Sequence, residues 1–229
     1  MILRGMRPSF APNEGAPAQQ IHKRIFLLSP ANVSGVRGLL LRKKEDTFEL
    51  ARRLSNGQAQ LGEIFSFMSA LYFRGKLAYA RTFANPPAGF PGVLIITPSH
   101  GLLRHDAVVD RSDIETMASV PIVHTNSAYR EPLQRDASAL RKKLGSETAI
   151  VFLGSIATPK YLDSLQRIFG AQLLLPQKFL SLGNMCRGGL LLRCSRMGAE
   201  LDYIPANTVR TLADEARSKS KRKRAKISR

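Results

Sequence analysis

The chain has 229 residues, 44% of them hydrophobic, and carries 35 Lys and Arg against 17 Asp and Glu for a net charge of +18. That length can bury a sizeable core, and no apolar run approaches the roughly 20 residues that a membrane-spanning helix needs. The opening "MILRGMRPSFAPNEGAPAQQ" has no long apolar stretch and no convincing cleavage site, so no secretory leader is expected; with only Cys186 and Cys194 as thiols, a reducing cytoplasm fits.

Residues 1–20, rich in Pro, Gly, Ala and Gln, read as a disordered lead-in to an α/β domain over residues 21–206. "IFLLS" is a short continuous apolar strand ending at Ser29-Pro30, followed by the polar loop "ANVSGVRG" and Leu39-Leu40-Leu41. A helix begins after Asp46 or Thr47, runs through Phe48, Leu50, Ala51 and Leu54, and stops at Asn56-Gly57. The periodicity from Leu61 to Phe83 predicts the longest helix, with Leu61, Ile64, Phe65, Met68 and Tyr72 on its stripe and Pro86-Pro87 ending it.

"GVLIITPSHGLL" predicts a strand over Val93–Thr97 and a turn at His100-Gly101. A short helix follows Ser112-Asp113, "VPIVH" reads as a brief strand, and Ala137–Leu144 belongs to a helix that Gly145 stops. "AIVFLGSIATPKYLDSL" holds a strand over Ala149–Leu153, a turn at Gly154, and a helix to about Gly170 with Thr158 as its cap and Pro159 at its first position. "AQLLLP" and "GGLLLRCS" read as further strands and "ELDYI" as a last short one.

Strands alternating with helices predict a three-layer α/β/α arrangement with a mostly parallel sheet, and continuously apolar strands fit a sheet covered on both faces. From Asn207 the chain turns polar, and residues 207–229 read as a disordered basic tail. Residues 210–229 hold nine basic and two acidic residues, so they supply +7 of the +18 and the body keeps +11. The expected partner is therefore nucleic acid or an anionic, nucleotide-like ligand, against the plainer reading of a solvated basic surface; no membrane partner is expected.

In sheets of this kind ligands gather beyond the carboxyl ends of the strands. The first such loop carries Ser29, Asn32 and Arg37, the second Ser99 and His100, the third Gly154, Ser155, Thr158 and Lys160. A helix amino terminus offers unpaired N–H groups and partial positive charge, so the third loop suits an anion, although Thr158-Pro159 also serves as a plain cap. "GSIATPKY" lacks the spacing of a P-loop, and His and Cys show no metal-ligand spacing, so no nucleotide-hydrolysis motif, metal or cofactor is expected. His100 is the candidate catalytic residue, able to give or take a proton near neutral pH, or else a turn residue. Arg187 ahead of Gly188-Gly189 could grip phosphate through its planar fork, the alternative being a tight turn into a strand. Tyr72 and Tyr79 are candidates for base stacking if they lie outside the core. Lys219, Lys221, Arg222, Lys223 and Arg224 would add salt-sensitive phosphate affinity.

The runs "IFLLSPA", "GEIFSFMSALYFRGKLAYARTFA", "VLIITPSHGLL" and "LGSIATPKY…NMCRGGLLLR" together resemble an uncharacterised bacterial α/β protein family, over about Ile25 to Ile204. More distantly, Phe73, Ala78-Tyr79-Ala80 and Ser99-His100-Gly101-Leu102-Leu103 are similar to α/β domains with a Ser/Lys-His-Gly-Leu-Leu turn. Some of those resemble uracil-DNA-glycosylase-like folds, including one attached to archaeal tRNA-guanine transglycosylases. That wider group often has Cys-Ser and Lys pairs after its first strand, where this chain has Ser29-Pro30-Ala31. The combined expectation is a nucleotide- or nucleic-acid-binding α/β protein, with action on a base or nucleoside as an extension. Arg37, Arg74, Lys76, Lys160 and Arg187 would supply positive charge, and Ser29, Ser155 and Thr158 would donate hydrogen bonds. The alternatives are a hydrolase or transferase for a small anionic metabolite, and a non-catalytic interaction protein.

Overall fold

The computed structural model describes residues 23–208 except 44, 46, 157 and 158. The lead-in over 1–20, Thr158 and the five tail cations from Lys219 to Arg224 lie outside the described residues.

The apolar run after Lys23 forms β1 (Arg24–Leu28). It is followed by α1 (Val36–Arg42), α2 (Glu49–Ser55), the two-residue β2 (Ala59–Gln60), α3 (Leu61–Ser69) and α4 (Leu71–Phe83). Next come β3 (Val93–Ile96), β4 (Leu102–Arg104), β5 (Val108–Val109), α5 (Arg111–Ser119) and α6 (Ser127–Lys143). The chain continues through β6 (Ala149–Leu153), α7 (Pro159–Phe169), β7 (Leu173–Pro176), α8 (Asn184–Met197) and β8 (Tyr203–Pro205).

Six strands form one sheet in the order β4-β3-β1-β6-β7-β8. The four inner strands are parallel, and β4 and β8 close the edges antiparallel. The chain steps from β1 to β3, then crosses back over β1 to β6 and on to β7, so the direction of winding reverses between β1 and β6. Side chains alternate between two cores. Phe26, Leu28, Val151 and Leu153 face α4 and α8 with Tyr79 and Leu191. Ile25, Leu27, Ile150 and Phe152 face α6 and α7 with Leu133 and Leu165. This is the predicted three-layer arrangement, with helices on both faces of a mostly parallel sheet.

Three expectations are corrected. The single helix over Leu61–Phe83 is two helices, broken at Ala70, whose φ of 46° and ψ of −118° no helix accommodates. "VPIVH" is not a strand: its backbone turns at Pro121, whose carbonyl accepts from Val123 N and from the Asn126 side-chain amide.

"GGLLLRCS" is helical, lying within α8, and Gly188 serves a helix crossing rather than a turn. A Cβ at Gly75 would sit 2.5 Å from the Gly188 carbonyl oxygen, and one at Gly188 would sit 2.8 Å from Tyr72 Cα. One turn-pair further on, Thr82 and Ser195 hydroxyls meet at 2.7 Å. The two helices therefore run parallel with backbones in close approach, and small residues are what permit it.

Candidate functional site at the carboxyl rim of the sheet

The sheet order puts the ends of β3, β1 and β6 side by side, so the three loops singled out in the sequence share one rim. The reversal of winding between β1 and β6 lies in the middle of it, the position where α/β sheets open a crevice for ligands.

Ser29 follows β1 directly, and its N–H continues the ladder to the Leu153 carbonyl at 3.1 Å. The Lys76 ammonium, on the sheet-facing side of α4, reaches the Ser29 carbonyl at 2.5 Å and the Ser29 hydroxyl at 2.8 Å. Lys76 keeps 1% of its surface exposed and Ser29 5%. The amine also lies 4.8 Å from the ring centres of both Tyr72 and Phe73, a double cation–π contact. No carboxylate among the described residues forms an ion pair with it. Burial alone pushes the Lys76 ammonium down to about 7.

Arg187, in the first turn of α8, is buried as well. It donates to the Phe179 carbonyl at 2.6 Å and stacks 4.9 Å over the Phe179 ring. Its guanidinium lies beside the Tyr72 hydroxyl, where it opposes the upward push that burial gives that phenol. Tyr72 thus touches Lys76 with its ring and faces Arg187 with its oxygen, and the glycine crossing holds both cations in register. Lys76 is one of the cations expected to supply positive charge to a ligand, but its complete burial against Ser29 is not foretold by motif or loop position. An apolar stripe swallows it, and the only sequence sign is a lysine on the buried face of the helix.

His100 stands at the β3 end of the rim. Its backbone N–H donates to the Thr97 hydroxyl at 2.9 Å, and that hydroxyl donates to the Gly101 carbonyl at 3.0 Å. Gly101 has φ +68°, and a Cβ there would collide with the Asp136 carboxylate at 2.1 Å and the Pro132 carbonyl at 2.7 Å. Asp136 meanwhile accepts from Leu102 N at 3.0 Å, so α6 clamps the turn. The imidazole has Ser99 Oγ 2.8 Å from Nδ1 and Asp113 Oδ1 3.6 Å from Nε2, the latter too long for a hydrogen bond. Asp113 also closes a capping box with Asp110 at the start of α5.

The other candidates are divided. Asn32 is exposed and its side-chain oxygen accepts from Ser34 N at 3.1 Å, a local turn contact. Arg37 turns to α3, donating to the Phe67 carbonyl at 3.0 Å. Lys160 lies 5.1 Å from the Tyr161 ring centre on the α7 side of the sheet, while its carbonyl accepts from the Tyr129 hydroxyl. Ser155 is half-buried beside Gly154. The space a Cβ would need at Gly154 is filled by the Phe152 ring, 2.2 Å away, so packing against that ring accounts for the glycine there. Tyr79 is wholly buried and hydrogen-bonded to Tyr203, which removes it from base stacking. Cys186 is exposed and Cys194 buried, and no group of three metal-ligating side chains gathers among the described residues.

A cleft of about 620 Å³ opens elsewhere on the molecule, lined by Arg24, Glu147, Gln172, Glu200 and Tyr203 among others. Arg24 is ion-paired with Glu200 there. No described helix is long and apolar enough to cross a membrane. Comparison with family models, curated proteins and solved structures finds no match to this chain.

Proposed function

We propose that the chain binds an anionic, nucleotide-like ligand at the carboxyl rim of its sheet, with the basic tail adding affinity for nucleic acid. The observation that carries this reading is the sheet order. It aligns the loops after β3, β1 and β6 at the reversal of winding, beside a buried ammonium that has no carboxylate partner among the described residues and a buried guanidinium. Burying cations in this way costs free energy that an arriving anion offsets. His100, on its clamped turn, is the group positioned to move a proton to or from a bound base.

Titration of nucleoside phosphates, single-stranded DNA and RNA into the full chain across a salt series tests the proposal. Nucleotide affinity is expected to fall at least tenfold in Arg187→Met with the fold intact. For nucleic acid, replacing Lys219, Lys221, Arg222, Lys223 and Arg224 by Gln should flatten the log–log salt slope by up to about 4. Nucleotide binding that ignores both salt and Arg187 would remove the rim from the account.

The alternative of a hydrolase for a small anionic metabolite has its own supporting observation, the contact between Ser29 Oγ and Lys76 Nζ.

A further inference from the structure

Ser29 and Lys76 meet through two contacts. A buried lysine needs only carbonyl oxygens to satisfy its ammonium, yet Lys76 donates to the Ser29 carbonyl at 2.5 Å and also contacts the Ser29 hydroxyl at 2.8 Å. The carbonyl bond fixes the amine's orientation. A neutral amine has one lone pair and two N–H bonds. With one N–H held by the Ser29 carbonyl, the lone pair is free to accept from the Ser29 hydroxyl. Ser29 keeps 5% of its surface exposed and Lys76 1%, and the Tyr72 and Phe73 rings lie beside the amine. A serine hydroxyl in contact with a buried amine that no carboxylate among the described residues holds protonated is the pairing that acyl transfer by a serine–lysine pair needs.

We infer that Ser29 is a nucleophile and Lys76 its general base, and that the pair hydrolyses an ester bearing a negative group. Ser29 Oγ bonds to the acyl carbon while its proton passes to Lys76 Nζ. The tetrahedral adduct then expels the alkoxide, which takes that proton and leaves as the alcohol. Water next attacks the acyl–serine ester, giving a proton to Nζ. The Ser29 Oγ–acyl bond breaks, the acid departs, and Nζ returns the proton to Ser29. Water is the sole co-reactant, and no oxidation occurs. The negative group on the ester is the one element that rests on the anion-binding reading. The nucleophile–base pair does not.

Among the described residues, the charged or titratable groups facing the Lys76 amine are the Tyr72 phenol on its own helix and, past that phenol, Arg187 of α8 and Tyr161 of α7. None is a carboxylate that would keep the amine charged, and burial holds it at about 7, so it is half neutral near physiological pH.

The test treats the full chain with a fluorophosphonate, which forms an Oγ–P bond and releases fluoride, and maps the adduct by mass spectrometry from pH 5.5 to 9.5. The expected result is modification at Ser29, with a rate that climbs through a midpoint near the amine's value of about 7. Lys76→Met, folded by near-ultraviolet circular dichroism, should slow it at least 100-fold, and Ser29→Ala should abolish it. The pH profile of the unaltered chain keeps the test decisive if either variant fails to fold. An unmodified Ser29 at every pH overturns the inference. A rate that shows no midpoint below pH 9, or one unchanged in folded Lys76→Met, overturns it equally. If Ser29 reacts while nucleotides and inorganic phosphate neither bind nor protect it, the anion reading fails and the pair stands as an esterase for uncharged substrates.

Discussion

Two charge clusters on the α4/α8 face of the sheet, one half-buried and one fully buried, are satisfied in opposite ways. At the start of β1, Arg24 is ion-paired with Glu200, which accepts from the Tyr203 hydroxyl at 2.7 Å. The Tyr203 and Tyr79 hydroxyls lie 2.8 Å apart, and Tyr79 accepts from Leu201 N at 2.8 Å. At the end of the same strand, Lys76 has two oxygens of one serine and two aromatic faces. The first cluster matches charge with charge and threads its hydrogen bonds through to the backbone, so it fastens β8 and the segment before it to the central strand. The second leaves its cation with no counter-charge among the described residues. A chain selected for stability alone has little reason to keep an unmatched buried amine, since an apolar side chain of the same size is as good or better there. The contrast separates an end that holds the molecule together from an end poised for a ligand.

The strongest way to break the contrast is to disturb the helix crossing that presents Lys76 and Arg187. In Gly188→Val the new side chain meets the Tyr72 and Leu71 backbone, which cannot rotate away. A loss of about 3 kcal/mol is expected in denaturant unfolding. A smaller effect should come from the matched end. Glu200→Gln leaves the Arg24 guanidinium without its counter-charge in a partly screened position, costing about 2 kcal/mol by the same measurement. If this variant unfolds no more easily than the parent, the matched cluster is not the fastening.

The most informative effect is a pH profile, whose change over any one pH unit is the smallest of the three. Lys76 titrates at about 7 in the fold, well below its value in the unfolded chain. Between those two values the unfolded chain binds more protons, so the folded state gains stability as pH rises. Below about 7 the full penalty of a buried charge applies. Relative to Lys76→Met, the parent should therefore gain on the order of 1 kcal/mol per pH unit from pH 7 towards 10. The variant should be at least as stable at pH 6. A difference that stays flat across the window would mean that the amine remains charged in the fold.

Much of this architecture was legible from local pattern. Four short, wholly apolar runs became the four parallel strands, because strands covered on both faces must be apolar throughout. The loops after β1, β3 and β6 each carry their own polar signature, but their adjacency depends on strand order, which is decided by which helix covers which face and leaves no local trace. Ala70 hid the break between α3 and α4, since alanine is the best helix former and the least suited to signal an end. The apolar residues of α8 are spread around the helix, so "GGLLLRCS" has the composition of a turn and strand, and only the crossing with α4 explains its glycines. Lys76 was legible as a positive charge but not as a buried one, because a charge on a buried face declares itself only through its surroundings.

The crossing of α4 with α8 joins segments whose contacting Thr82 and Ser195 are 113 positions apart. During synthesis α4 is complete long before α8 leaves the ribosome, so the groove around Gly75 and the cover over Tyr72 stay open until nearly the whole described chain has emerged. The β1 end bearing Ser29 and Lys76 is thus among the last regions to be sealed, and reactivity there would be withheld from partial chains. Contacts of such long range also slow the final closure. A nascent protein stalled before α8 would expose an apolar helix face, which makes that interval the one in which assistance by chaperones matters most.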